Sequence, residues 1–122
     1  MDKKIIASCH CGSVELELLL PNGFELRRCN CSICRRKGAI VGSVLINNLK
    51  ILKGEDFLSL YQFNTNTAKH FFCSACGIYT HHQRRSNPQE FSFNTGCVEG
   101  FNAEDYPEPE IIDGINHIKD RS

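Results

Sequence analysis

Between Val14 and Leu20 the chain alternates. Val14, Leu16, Leu18 and Leu20 are separated by Glu15 and Glu17, and only Leu19 interrupts the pattern. A period of two places successive side chains on opposite faces, so the segment predicts a half-buried strand. Pro21-Asn22-Gly23 follows as a hairpin signal. Phe24, Leu26 and Arg28 then alternate with Glu25 and Arg27 on an expected returning strand. Such a hairpin would carry Cys29 back toward Cys11. Further strands are expected over 39–47, where Val41, Val44 and Ile46 recur, and at 51–52 and 58–63 around Lys53-Gly54-Glu55-Asp56. Two more are expected over 69–73 and 91–95, the last with Phe91 and Phe93 on one face. No stretch carries a convincing eleven-residue helical pattern. The fold expected is mainly β, with antiparallel pairing because the connections are short.

The 122 residues make one domain, 1–122. Residues 99–113 hold six acids and no Lys or Arg, with Pro107 and Pro109. The stretch 102–122 is therefore expected to wrap the same domain as an acidic C-terminal segment, anchored by Ile111 and Ile112. Fourteen basic and fourteen acidic residues cancel, which argues against a basic coat for nucleic acid. No run approaches 18 apolar residues, so no membrane span is expected. The apolar run Ile5-Ile6-Ala7 is too short for a signal peptide, and a cytoplasmic location is expected.

The eight cysteines change the picture most. They stand at 9, 11, 29, 31, 34, 73, 76 and 97, and seven of them fall into Cys-x-Cys, Cys-x-Cys-x-x-Cys and Cys-x-x-Cys clusters. A disulfide framework gains most by joining distant points, whereas clustered thiols present several ligands to one ion. Zinc suits such sites, and an iron–sulfur cluster is the chemical rival. The ferredoxin run ending in Cys-Pro is missing. Four ligands close a structural zinc site. The first and third clusters supply four (Cys9, Cys11, Cys73 and Cys76), which leaves Cys29, Cys31 and Cys34 as a three-thiolate site with an open position. Such an opening is what separates a catalytic from a structural zinc. Gly12 and Gly77 each follow a knuckle, where a φ above zero would aim backbone N–H groups at the sulfurs. Cys97 is a buried core thiol, a fourth ligand to the second site, or a reactive thiol.

Residues 27–37 carry Arg27, Arg28, Arg35, Arg36 and Lys37 without an acid. They offset thiolate charge and attract an anionic ligand, touch nucleic-acid phosphate, or form a solvated turn. Arg35 and Arg36 directly follow Cys34 and are the candidates for substrate binding. His81 and His82 are consecutive on an expected strand, so they point to opposite faces and at most one meets a given pocket. His82 is kept as a third candidate, an acid–base or substrate-binding group.

The runs Ser8-Cys9-His10-Cys11-Gly12-Ser13-Val14, Cys29-Asn30-Cys31-Ser32-Ile33-Cys34-Arg35-Arg36 and Phe72-Cys73-Ser74-Ala75-Cys76-Gly77 closely resemble the family of glutathione-dependent formaldehyde-activating enzymes and centromere protein V. Asn94-Thr95-Gly96-Cys97-Val98-Glu99-Gly100 resembles its closing motif. The resemblance implies a mainly β, antiparallel, zinc-bound domain of the β-tent group. It implies a structural zinc on Cys9, Cys11, Cys73 and Cys76, and a labile, catalytic zinc on Cys29, Cys31 and Cys34. It also implies carbon–sulfur lyase chemistry in the adduct-forming direction, with glutathione as substrate and S-hydroxymethylglutathione as the adduct. The alternative is a non-catalytic, zinc-stabilised binding or thiol-carrier module. A nucleic-acid or cytoskeletal binder would instead need a continuous basic stripe.

Overall fold

The computed structural model describes residues 3–21, 24–63 and 65–114. Among these residues ten strands form two sheets. The smaller contains β1 (Lys3–Ser8), β2 (Glu15–Leu20) and β5 (Leu49–Lys53), in the order β1-β2-β5. The larger adds β3 (Arg27–Cys29), β4 (Val41–Leu45), β6 (Leu58–Tyr61), β7 (Lys69–Cys73), β8 (Tyr79–Gln83), β9 (Glu90–Asn94) and β10 (Glu110–Ile112). Its order is β10-β3-β4-β9-β8-β7-β6. One short helix, α1 (Ser32–Lys37), follows β3.

The alternation on β2 does what its period requires. Val14, Leu16, Leu18 and Leu20 are buried, while Glu15, Glu17 and Leu19 lie half-buried on the other face. They join Ala7, Val44, Leu49 and Phe93 in one core that also takes in Cys9, Cys73 and Cys97. Three cysteines are thus part of the apolar interior, and two of them belong to the proposed four-thiolate set.

The expected hairpin after β2 does not form. Asn22 and Gly23 lie outside the described residues, and the strands on either side do not pair. Strand β2 is flanked by β1 and β5, so both its edges are taken. The chain instead crosses to the other sheet, where β3 pairs with β4 and β10. Leu26 is buried on the way, and Phe24 packs on Phe93 and Tyr106. Cys29 is therefore not returned to Cys11; each joins a different thiol cluster. Alternation reveals a strand but not its partner.

Two other expectations change. The pairing is antiparallel except between β10 and β3, which run parallel. The acidic stretch is also anchored differently: a 3₁₀ turn at Ala103–Asp105 precedes β10. Ile111 is 62% exposed and anchors nothing. Ile112 and Tyr106 hold the segment instead, the latter between the rings of Phe24 and Phe101. The expected wrap beyond residue 114 lies outside the described residues. Among the described residues no helix is long and apolar enough to cross a membrane.

Candidate metal centres and cavity

The first centre is built from two matching turns. One lies between β1 and β2, where Cys9 N–H bonds Val14 C=O at 3.1 Å and Gly12 N–H bonds Cys9 C=O at 3.2 Å. The other joins β7 to β8, where Cys73 N–H bonds Ile78 C=O at 3.0 Å and Gly77 N–H bonds Cys73 C=O at 2.7 Å. Gly12 and Gly77 adopt φ of 80° and 79°, the left-handed region expected of them. The sulfurs of Cys9, Cys11, Cys73 and Cys76 all lie within 4.8 Å of one another. Cys11 Sγ is 3.7 Å from Cys9 Sγ and 3.8 Å from Cys73 Sγ. A tetrahedral ion with metal–sulfur bonds of about 2.3 Å requires sulfurs roughly 3.8 Å apart. The spacing fits zinc and is far too long for disulfides, and all eight cysteines are free. Backbone N–H donors favour thiolate: those of Cys11, from the facing turn, and of Ile78 bring Cys76 to about 6, and the Ser13 hydroxyl lowers Cys11.

The second centre sits where β3 runs into α1. Cys29 ends the strand, Cys31 is the helix N-cap, and Cys34 lies one turn in. Their sulfurs also lie within 4.8 Å of one another. The Cys34 N–H donates to Cys31 Sγ at 3.4 Å. Hydrogen bonds from Cys29 and Cys34 hold Cys31 far below the ordinary thiol range, while hydrogen bonds with Cys29 and Cys31, then burial, push Cys34 up. Three sulfurs converging this closely are a ready ligand set for a cation.

The C-terminal strand completes this centre in a way the sequence did not suggest. Strand β10 pairs Ile112 with Cys29, and Asn30 N–H bonds Ile112 C=O at 3.1 Å. This lays Gly114 directly on the cluster. A Cβ at Gly114 would stand 2.5 Å from Cys29 Sγ and 2.6 Å from Cys31 Cβ. Gly114→Ala is therefore expected to displace a ligand sulfur and lower metal retention at this centre alone. Elemental analysis after dialysis against a weak chelator should show roughly one ion lost per chain, with the four-thiolate ion kept.

The three thiols face a cavity of about 140 Å³. Its walls combine apolar groups (Ile33, Ala39, Val41, Phe63, Ile112) with Lys37, His70, Tyr79 and His82. Arg27, Arg84 and Arg85 also line it. Arg27 is hydrogen-bonded to Ser43, and Arg84 pairs with Glu90.

Of the three substrate-binding candidates, only His82 lines this cavity. Arg35 and Arg36 are exposed, and Arg36 Nη1 donates back to Ser32 C=O at 2.6 Å. Helical geometry explains the displacement. Residues three apart share a face, so Lys37 follows Cys34 inward while 35 and 36 turn to solvent. Lys37 and His70, passed over in favour of the arginines and the histidine pair, are the residues sequence reasoning missed. The i, i+3 spacing from Cys34 was the available signal for Lys37. His70 carries none, because it reaches the cavity by pairing opposite His82 across β7 and β8.

The histidine pair divides as its strand period demands. His82 stacks on His70 at 4.9 Å between centroids, and its Nδ1 lies 2.6 Å from the Tyr79 hydroxyl. His81 turns into the core, 2% exposed, stacked on Phe71 with its Nδ1 2.8 Å from Thr80 Oγ1. Burial, then the Lys37 charge, pulls His81 from 6.5 to about 4. The unfolded chain thus takes up a proton that the folded chain refuses. The stabilisation is complete above the unfolded value and is lost as pH falls toward 4. Wild type is expected to lose about 2 kcal/mol more stability than His81→Phe between about pH 7.5 and pH 5, read from urea midpoints. Metal release affects both chains alike, so the difference isolates the imidazole.

Cys97 belongs to neither cluster. It is buried, its S–H donates to Tyr79 C=O at 3.7 Å, and burial raises it to about 11. It is a core thiol, not a fourth ligand to the second centre.

The profile of a family described as glutathione-dependent formaldehyde-activating enzyme matches residues 4–113. A curated Halomonas elongata relative carrying that family's name is 36% identical over 78 residues, covering 57% of this chain and 49% of that protein. The chain thus spans about half the length of that relative. A crystal structure of a Rhodobacter sphaeroides protein superposes with a TM-score of 0.82 at 52% identity, covering 88% of this chain and 99% of that one.

Proposed function

The chain belongs to the glutathione-dependent formaldehyde-activating enzyme family, and we propose that it is a zinc-dependent enzyme of carbon–sulfur lyase type. Its reaction joins a small thiol such as glutathione to formaldehyde, giving an S-hydroxymethyl adduct, or reverses that step. The observation that carries this reading is the three-thiolate centre at the wall of a cavity bearing Arg27, Arg84, Arg85 and Lys37. Cys29, Cys31 and Cys34 are the residues that would hold the reactive zinc, and Cys9, Cys11, Cys73 and Cys76 the structural one. Zinc bound by three thiolates supplies a Lewis acid with room for another ligand and favours the thiolate form of an incoming thiol.

The chain's own residues do the rest. The arginines draw the carboxylates of a peptide thiol toward the opening. Ile33, Ala39, Val41 and Ile112 exclude water from the neighbourhood of the sulfurs, which strengthens each polar contact there. His70 is buried and His82 half-buried; burial, then the Lys37 charge, brings His70 to about 3 and holds His82 well below the usual imidazole range, so they serve as neutral partners in hydrogen bonding. A reducing cytoplasmic setting suits this reading, because it keeps all eight cysteines as thiols.

Glutathione and formaldehyde also combine unaided, so the test is a rate. Two-dimensional exchange NMR on the equilibrated adduct should show exchange rising in proportion to added zinc-loaded protein. Exchange at the uncatalysed rate, together with saturable glutathione binding, would identify a thiol-carrier module instead.

A further inference from the structure

Lys37 occupies an unusual position for a lysine. It lines the cavity on the same face of α1 as Cys34. Its Nζ lies 2.7 Å from His70 Nδ1 and 3.7 Å from the centroid of the Tyr79 ring. An ammonium can only donate, so Nδ1 of His70 must accept, which puts the imidazole proton on Nε2. The ring face of Tyr79 holds the cation by its negative quadrupole. Both partners are themselves fixed. His70 is clamped between Phe63 and His82, and the Tyr79 hydroxyl is engaged by His82. Among the described residues no carboxylate pairs with Lys37. A lysine held by one neutral imidazole and one aromatic face has donor protons to spare, and the space it adjoins is the cavity beside the three thiols.

A solvated lysine would leave this cavity for water, and a purely structural one would normally meet an acid. Lys37 does neither. Of the cavity's other cations, Arg84 is matched by Glu90 and Arg27 is bound to Ser43.

Resting on the reading of function above, we propose that Lys37 is a catalytic residue: its ammonium binds the carbonyl oxygen of the aldehyde and protonates that oxygen as the adduct forms. The thiolate sulfur gives an electron pair to the carbonyl carbon and the S–C bond forms. The π pair of the C=O bond moves to oxygen, which takes a proton from Lys37 Nζ. The amine recovers a proton from the S–H of the next thiol as that thiol becomes thiolate. Thiol plus aldehyde thus gives the hydroxymethyl adduct, with no oxidant or reductant required. Run backward, the same amine removes the hydroxyl proton and the S–C bond breaks. His70 and Tyr79 are positioning residues for Nζ.

The test compares wild type, Lys37→Met and Lys37→Arg, each loaded with zinc. Three readouts are taken: zinc per chain, glutathione affinity, and adduct exchange by two-dimensional NMR. Removing one preorganised donor to a developing oxyanion costs about 100-fold or more. Lys37→Met is expected to keep both zinc ions, bind glutathione within about threefold of wild type, and lose about 100-fold of the catalysed exchange. Lys37→Arg should recover part of that loss, since it restores a cationic donor. A Lys37→Met chain that exchanges within threefold of wild type overturns the proposal. So does one that loses its second zinc, which would make Lys37 a structural partner of the thiolates. Failure of wild type itself to exceed the uncatalysed rate would overturn the enzyme reading, a result distinct from either.

Discussion

Cys73→Ser is expected to yield a chain with no cooperative thermal transition, even with excess zinc. Cys73 is fully buried at the end of β7, inside the apolar core as well as in the first thiol cluster. Its sulfur lies 3.8 Å from that of Cys11, 62 positions away in sequence. Joining points so far apart constrains the unfolded chain by about 4 kcal/mol on loop-closure arithmetic. The ion itself contributes more: structural zinc binding is worth about 10–16 kcal/mol in small metal-dependent domains. Domains of this size are held by only about 5–15 kcal/mol in total. Serine offers a poor zinc ligand and leaves a hydroxyl in an apolar site. The loss therefore approaches the whole stability of the fold. Calorimetry and near-UV circular dichroism check this directly; a folded variant melting within about 5 °C of wild type would mean that the four-thiolate centre does not hold the sheets together.

Cys31→Ser is expected to behave in the opposite way, losing chemistry but not fold. Cys31 is the N-cap of α1, and its Sγ accepts the Cys34 N–H. Serine is a preferred N-cap and takes over that hydrogen bond, so the helix keeps its start. What disappears is one of three thiolates, and two thiolates hold zinc poorly. The expected chain melts within about 5 °C of wild type, retains the first ion, and exchanges the glutathione adduct at the uncatalysed rate. Unchanged exchange in this variant would detach the reaction from the three-thiolate centre. The two substitutions together separate a centre that folds the protein from one that acts in it.

The two cysteine groupings were readable from the sequence because cysteine spacing is itself a geometric statement. Two knuckles bring four sulfurs together, a third cluster brings three, and the glycines behind the two knuckles adopt φ above zero. The strands were readable wherever one face is buried, as on β2. Pairing was not. Nothing in Pro21-Asn22-Gly23 reveals that both edges of β2 are occupied by β1 and β5, the latter beginning only at Leu49. Helix α1 carries no pattern to read, because six residues are too few for an amphipathic period. Without a helix, nearness to Cys34 favours Arg35 and Arg36; with it, the i, i+3 rule selects Lys37. Gly114 and His70 reach the second centre only through strand pairing, β10 on β3 and β7 on β8. Long-range register has no local signature, and much of this cavity is made of it.

The most direct test of the account is zinc per chain on gently purified protein, measured by elemental analysis beside Cys31→Ser prepared in the same way. Two ions in wild type and one in the variant are predicted, one for each thiol cluster. One ion in both would show that Cys29, Cys31 and Cys34 hold none, and would contradict the account of a metal-bearing cavity at its root.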